Sequence, residues 1–175
     1  MRVALCVWLF LISVLAATLT RAAPPGRYLS QADFLQQAFA GVSFQGRLLV
    51  PDAGLRQRIT ALLGHPLRAR RLHYWQADGR TAWVIDEIGR DEPITLGIVV
   101  GAQGIEQLKV LAYRETRGGE VTRSAFLRQF NGASLNHDQA LTTPIDGITG
   151  ATLSVHAVTR AARLALLLTA TVTGP

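Results

Sequence analysis

Apolar residues recur at helical spacing in two stretches near the beginning of the chain. The first stretch follows Ser30, which forms an S-x-x-D capping box with Asp33, and it ends at Gly41. The second stretch begins at Asp52 and ends at Gly64. A capping side chain at the start and a glycine at the end are typical of helices. The spacing therefore predicts two helices in this part of the chain.

The pattern changes to β-branched and aromatic residues from residue 71 onward. Residues 71–77 and 80–88 flank Asp78-Gly79, a pair that is typical of two-residue hairpin turns. Residues 94–100 and 105–113 form a second pair around a turn that contains two glycines. Four neighbouring strands of this kind predict an antiparallel sheet.

Helical spacing returns after the strands. Residues 124–130 predict a short helix, and residues 154–168 predict a longer one with an apolar face. Helices and strands do not alternate along the chain, so a parallel sheet is not expected. The sequence predicts an α+β fold in which about four antiparallel strands and their flanking helices form a single domain after an N-terminal leader.

The N-terminus carries an apolar run of its own. Arg2 precedes the uninterrupted apolar residues 3–17, and small residues follow. A basic start, a short apolar core and a small-residue exit predict a signal peptide over residues 1–22. An uncleaved membrane anchor is the alternative, but the run is shorter than the roughly 20 apolar residues of a spanning helix. We divide the remainder into an N-terminal helical segment, residues 23–70, and a main domain, residues 71–170, and expect a periplasmic or cell-envelope location.

Composition and charge exclude several classes of protein. The chain of 175 residues is 49% hydrophobic, which excludes an intrinsically disordered protein. Its net charge of +6 comes from 18 basic and 12 acidic residues, and removal of the two arginines in residues 1–22 lowers it to +4. The basic residues form no stripe with interleaved aromatics, so we expect no nucleic-acid partner. The single cysteine, Cys6, lies in the predicted leader, which leaves no thiol for a disulfide or a CxxC site.

The usual catalytic signatures are also missing. The sequence has no phosphate-binding P-loop, no HExxH zinc motif and no GxSxG nucleophile elbow. We predict that the carboxylates of Asp86-Glu87 and Asp91-Glu92 lie in a solvated loop. We therefore expect no acid–base pair for substrate chemistry. The four histidines lack the spacing of metal ligands, so no metal site is expected: His65, His73, His137 and His156.

The most informative stretch is residues 146–154, a turn of small residues that leads into the last helix. Gly150 and Ala151 let a bulky ligand approach the backbone, and the free N–H groups of a helix start favour a phosphate. Three hydroxyl groups of this stretch can donate to phosphate oxygens, or one of them can be esterified: those of Thr149, Thr152 and Ser154. The residues alone leave a second interpretation open, a simple capped loop with Ser154 as the N-cap.

The same residues have the pattern Asp-x-x-Ser/Thr-Gly-Ala-Ser/Thr, through which the chain resembles the FMN-binding domain family. That family includes flavin subunits of the sodium-pumping quinone reductase and of the Rnf-type oxidoreductase, and small exported proteins. There a flavin transferase uses FAD and magnesium to link FMN through its phosphate to the last Thr or Ser. The resemblance implies covalent FMN at Thr152. It also implies that Asp146, Thr149, Gly150 and Ala151 form the motif recognised by the transferase and shape the site. We expect the adjacent Leu153 and Ser154 to bind the cofactor as well.

A second motif supports the resemblance, which extends over residues 72–168. In the family, a Glu-Thr-x-Gly segment after a strand is followed by a Phe-x-x-Gln-Phe helix, and here residues 126–130 match the latter. The segment lacks the proline and Gly-Leu-Gly of the respiratory subunits and is more similar to the stand-alone exported members. The resemblance implies that Glu115, Thr116 and Gly118 contact the flavin. Arg117 lies among them, and our own hypothesis is that it binds near the ring and stabilises the negative charge of the reduced or semiquinone form.

The resemblance implies an exported electron-transfer flavoprotein that relays electrons between a membrane donor and an extracytoplasmic acceptor. Its partners would be a flavin transferase for maturation and a redox partner in the membrane or envelope. Two other functions stay open. One is a flavin-dependent reductase that acts directly on a small acceptor, and the other is a flavin-free module that binds a phosphate-bearing ligand.

Overall fold

The computed structural model describes Gly26 and residues 28–174. The predicted leader therefore lies outside the described residues. Short 3-10 turns at Gly119–Thr122 and Arg128–Phe130 flank the third helix. The elements follow in this order: α1 (Gln31–Phe39), β1 (Gln45–Leu49), α2 (Ala53–Leu63), β2 (Leu72–Ala77), β3 (Arg80–Ile88), β4 (Pro93–Gly101), β5 (Gly104–Ala112), α3 (Ser124–Leu127) and α4 (Thr152–Thr173).

In the described part of the chain, five strands form one antiparallel sheet in which each strand pairs with its neighbour in sequence. The predicted α+β class is confirmed, and the sheet has one strand more than the expected four. The additional strand is β1, which pairs with β2 so that Leu49 lies opposite Leu72. All but the last residue of β1 are exposed, and Gly46 interrupts it. It therefore lacks the alternation of apolar and polar residues that identified the other strands.

Helices cover both faces of the sheet. The α1 helix packs on one face, while α2 and α4 pack on the other. Successive residues of β3 alternate between these layers: Ala82 belongs to the α1 side and Trp83 to the α4 side. The indole N–H of Trp83 donates to Oγ1 of Thr169 at 2.8 Å, so the largest buried side chain fixes α4 against the sheet.

The predicted capping residues of α1 and α2 act as expected. Oγ of Ser30 accepts a hydrogen bond from the backbone N–H of Asp33, and the carboxylate of Asp52 accepts one from Leu55 at 2.7 Å. Asp78 and Gly79 have φ angles of 47° and 71°, as the turn of a tight hairpin requires. The two predicted helices and the first hairpin are therefore confirmed.

The last helix begins at Thr152, two residues earlier than predicted. Its N-cap is Ala151, and Ser154 lies inside the helix with 4% of its surface exposed. The interpretation of Ser154 as the N-cap is therefore wrong, because its hydroxyl pairs with that of Tyr113 instead.

Among the described residues, α4 is also the one helix long and apolar enough to cross a membrane by length and composition. Its most apolar window has a mean hydropathy of 1.2 and is 61% buried inside the protein. This burial is that of a core helix packed on the sheet.

Glu87 corrects another expectation, since it does not lie in a solvated loop. Only 3% of its surface is exposed, and its Oε1 accepts a hydrogen bond from Nε of Arg160 at 2.7 Å. Nε2 of His65 lies 2.9 Å from the same oxygen. The partners come from α4 and from the segment after α2, so the sequence around Glu87 gives no sign of this burial.

Candidate functional site

The turn before α4 brings residues 146–152 to the protein surface; we call them the attachment motif, because the family resemblance implies FMN attachment at Thr152. Gly150 has a φ angle of 84°, and no atom beyond its two chain neighbours lies within 4 Å of the position that a Cβ would take there. The N–H of Ala151 donates to the carbonyl of Ile148 at 2.9 Å, and Ala151 itself is buried. The chain thus turns tightly and presents Thr152, the first residue of α4, with its side chain exposed.

A cleft of about 730 Å³ opens beside the start of α4. This volume lies within the range of cofactor sites, roughly 300–1,000 Å³. One wall is a stripe of α4, and the other is the loop that precedes the helix. The residues that line it are Ala140, Leu141, Thr143, Ile145, Gly147, Ile148, Thr149, Thr152, Val155, His156, Thr159 and Arg163.

The charge of the cleft favours an anionic ligand. None of the described residues that line it is acidic, whereas His156 and Arg163 are basic side chains. Nε of Arg163 donates to the carbonyl oxygen of Gln139 at 2.6 Å, which ties the loop to the helix. Burial lowers the pKa of the Arg163 guanidinium below its usual value, but an arginine side chain stays charged in proteins.

The second motif packs against the other side of the helix start. Gly118 adopts a φ angle of 81°, and a Cβ there would lie 2.6 Å from Oγ of Ser154. The hydroxyl of Tyr113 bonds to Oγ of Ser154 at 2.9 Å and donates to the carbonyl of Arg117. Burial raises the pKa of Tyr113, and the hydrogen bond with Ser154 offsets part of that rise. The structure therefore brings the two motifs into contact.

Glu115 stabilises a turn of the sheet. Its Oε1 accepts hydrogen bonds from the backbone N–H groups of Arg90, Asp91 and Glu92 at 2.5, 2.8 and 3.1 Å. Burial opposes ionisation of this carboxyl, but the three hydrogen bonds outweigh that effect and hold the pKa of Glu115 below its usual value. The Glu115 carboxylate thus holds the connection between β3 and β4 in place.

The implied binding residues fall into two groups. Thr149 and Thr152 line the cleft, and Gly150 and Ala151 shape the turn between them. The remaining implied residues do not line the cleft. They are Asp146 and Leu153, both exposed; Ser154, buried; and the segment Glu115, Thr116, Arg117 and Gly118 on the far side of the helix start.

Three residues of α4 that line the cleft were not predicted as site residues. His156, Thr159 and Arg163 follow Thr152 at intervals of four, seven and eleven residues. This spacing places all four side chains on one face of a helix. The recurrence of polar residues at helical spacing after Thr152 was the signal that could have identified them.

Comparison with known families identifies the cofactor class of this part of the chain. The sequence model of the FMN-binding domain matches residues 89–167. The chain carries an FMN-binding domain. The match runs from the end of β3 into α4, so it contains both motifs and the whole cleft. No curated protein and no solved structure matches the chain.

The cleft of this FMN-binding domain fits the cofactor. A phosphate is favoured near the first turn of α4, where backbone N–H groups lack helical partners. The wall formed by Leu141, Ile145 and Ile148 offers apolar surface to a flat ring. The described lining has no acidic side chain, and Arg163 gives it a positive charge, opposite to that of FMN.

Proposed function

We propose that this protein is an electron-transfer flavoprotein whose FMN is linked through its phosphate to Thr152. The observation that carries the proposal is the position of Thr152. It ends an Asp-x-x-Thr-Gly-Ala-Thr sequence, begins α4, and lines a cleft inside the FMN-binding domain whose described lining residues include no acidic side chain. A hydroxyl at this place is open to a modifying enzyme, and the attached phosphate would meet the N-terminus of the helix.

The attachment requires a flavin transferase as a partner. Oγ of Thr152 would attack the FMN phosphorus of FAD, so that an O–P bond forms while the bond between the two phosphates breaks. AMP leaves, and the hydroxyl proton passes to a base of the transferase or to solvent. The exposure of Thr149, Gly150 and Thr152 supports this step, because the transferase must bind this turn at the protein surface.

The chain's own residues then bind and orient the cofactor. The bound FMN supplies reversible redox chemistry, and the protein supplies position and electrostatics. The contact between Gly118 and the first turn of α4 fixes the direction in which that helix presents Thr152. The hydrogen bond between Arg163 and Gln139 fixes the opposite wall of the cleft.

The cellular setting that we propose follows from the leader and the linkage together. Residues 1–22 have the pattern of a signal peptide, which supports a periplasmic or envelope location. A reversibly bound FMN would be lost by dilution there, and a covalent bond prevents that loss. We propose that the protein relays electrons between a membrane donor and an extracytoplasmic acceptor.

Flavin fluorescence in a denaturing gel tests the attachment. The chain is co-expressed with a flavin transferase, and wild type is compared with Thr152→Ala, Thr152→Ser and Thr171→Ala. We expect a fluorescent band for wild type and Thr152→Ser, because both carry a hydroxyl at residue 152, and none for Thr152→Ala. Thr171 is an exposed threonine near the other end of α4, so its variant should stay fluorescent.

Two results would contradict the proposal. A fluorescent Thr152→Ala band would show that the phosphate is attached to another residue. A wild-type chain without a band would refute covalent attachment. The electron-transfer role is tested separately by rapid mixing of the reduced, loaded protein with an oxidised redox protein. If no oxidised redox protein oxidises the reduced flavoprotein faster than air-free buffer alone does, the role as an electron carrier is contradicted.

A further inference from the structure

Four polar side chains form a line along α4 on the wall of the cleft. Thr152 stands at one end of the line and Arg163 at the other, with His156 and Thr159 between them. Eleven residues of helix correspond to about 16 Å, and helical side chains lean toward the N-terminus, which brings the Arg163 guanidinium nearer to Thr152. A cofactor attached to Thr152 would therefore share the cleft with the cationic side chain of Arg163, which lies further along the same helix.

The surroundings of Arg163 leave most of its charge available to a ligand. The Nε–H group of Arg163 donates a hydrogen bond to the carbonyl oxygen of Gln139. Among the described residues, no protein acceptor pairs with the other guanidinium N–H groups, and no carboxylate forms a salt bridge with Arg163. The guanidinium is partly buried, so water screens its charge less than at an open surface. Arg160, one turn away, is instead neutralised by Glu87.

We propose that Arg163 faces the flavin ring in the cleft and stabilises the negative charge that the ring gains on reduction. This inference rests on the proposed function. Two electrons and one proton convert the neutral oxidised ring into a reduced ring with one negative charge, and a nearby cation favours the charged form by Coulomb attraction. Arg163 thereby raises the midpoint potential, and the redox partner supplies or removes the electrons.

The geometry favours Arg163 over the arginine that the sequence suggested. Arg117 is exposed, follows the second motif and does not line the cleft. Its charge is screened by water, and its carbonyl group, rather than its guanidinium, makes the contact with Tyr113. Arg163 lies on the same face of α4 as the attachment residue Thr152, so the helix fixes the distance between Arg163 and the point at which the cofactor is attached.

The test is a spectroelectrochemical titration of FMN-loaded protein, in which an electrode supplies the electrons. Wild type is compared with the neutral variants Arg163→Gln and Arg163→Met, with Arg163→Lys, and with Arg68→Gln as an exposed control outside the cleft. We expect both neutral variants to lose at least tenfold in their preference for the reduced cofactor. For a two-electron couple that loss equals a midpoint potential lower by about 30 mV. Arg163→Lys should recover most of the difference, and Arg68→Gln should match wild type.

The possible failures are distinct. Loaded neutral variants with the potential of wild type would overturn the role of Arg163 and leave the attachment at Thr152 intact. A lower potential in Arg117→Gln together with no change in Arg163→Gln would assign the role to Arg117. A wild-type chain that carries no FMN would refute the proposed function, and with it the role of Arg163. Two neutral side chains of different polarity are used so that one poorly folding variant does not decide the result.

Discussion

The side chain of Gln129 holds the first residue of the attachment motif, because its Oε1 accepts a hydrogen bond from the backbone N–H of Asp146 at 2.8 Å. Gln129 belongs to the Phe-x-x-Gln-Phe sequence, where Phe126 and Phe130 are buried and pack edge to face. A buried aromatic pair thus fixes the position from which Gln129 reaches the loop. The two sequence motifs form one structural unit, with the second also packing Gly118 against the start of α4.

The first prediction concerns this hydrogen bond. Gln129→Leu removes the acceptor and should lower the free energy of unfolding by about 1 kcal/mol, the usual net value of one hydrogen bond. It should also lower the fraction of chains that acquire FMN, since the motif loses its support. Gln129→Glu keeps an oxygen acceptor and should stay near wild type in both measurements. Equal FMN loading in Gln129→Leu and wild type would show that the bond does not position the motif.

The second prediction separates recognition from stability at Asp146. Its carboxylate is exposed and has no hydrogen-bond partner within the described part of the chain, so a transferase can bind it directly. Asp146→Asn should leave the urea midpoint unchanged within error and reduce FMN attachment at least tenfold. Asp138→Asn, an exposed aspartate earlier in the same loop region, is the control and should load like wild type. Normal loading of Asp146→Asn would contradict a recognition role.

Local patterns were enough to predict most of the elements but little of the cleft. Caps, hairpin turns and helical spacing depend on neighbouring residues, so α1, α2 and the β2–β3 hairpin followed from the sequence. The strand β1 did not, because an exposed edge strand needs no apolar alternation. Arg163 was missed for a different reason, since its role depends on a loop that folds back over the helix and meets it at Gln139.

Contacts between distant segments also explain why Glu87 was wrongly expected in a solvated loop. The third prediction concerns its buried ion pair with Arg160. Arg160→Leu would leave a buried carboxylate with only the partly exposed His65 beside it. We expect a loss of about 3 kcal/mol in the free energy of unfolding, as for other broken buried ion pairs. Adding Glu87→Gln to this variant should recover part of the loss, because the buried charge is then absent. Urea denaturation measures the stability of the single and the double variant, and Arg128→Leu, a change at an exposed arginine, is the control. Equal stability of Arg160→Leu and the control would show that the pair is not coupled to folding.

The fourth prediction compares two glycines with nearly the same backbone conformation. Gly118 and Gly64 have φ angles of 81° and 78°, so alanine at either position costs about 1 kcal/mol of backbone strain. At Gly64 nothing lies within 4 Å of the new methyl group, whereas at Gly118 it meets Oγ of Ser154 at 2.6 Å and the hydroxyl of Tyr113 at 2.9 Å. Gly118→Ala should therefore cost about 1–3 kcal/mol more than Gly64→Ala. Thermal or urea unfolding of the two variants measures the difference. Equal losses would mean that the second motif does not pack tightly against α4.

The last prediction uses the pH dependence of Glu115. Its pKa in the folded protein lies below the ordinary value of 4.5, because three backbone N–H groups stabilise the carboxylate against the opposing effect of burial. A lowered folded-state pKa contributes stability above the unfolded-state pKa, and that contribution disappears as the pH falls through the folded-state value. Glu115→Gln should therefore be less stable than wild type at pH 7, by about 1–2 kcal/mol for weakened hydrogen bonds to a charged group. The difference should shrink steadily once the pH falls below about 4.5. Urea titrations at pH 7, 5, 4 and 3 measure it, with the exposed Glu106→Gln as the control. A difference between Glu115→Gln and wild type that stays constant over this range would mean that the carboxylate's charge does not stabilise the β3–β4 turn.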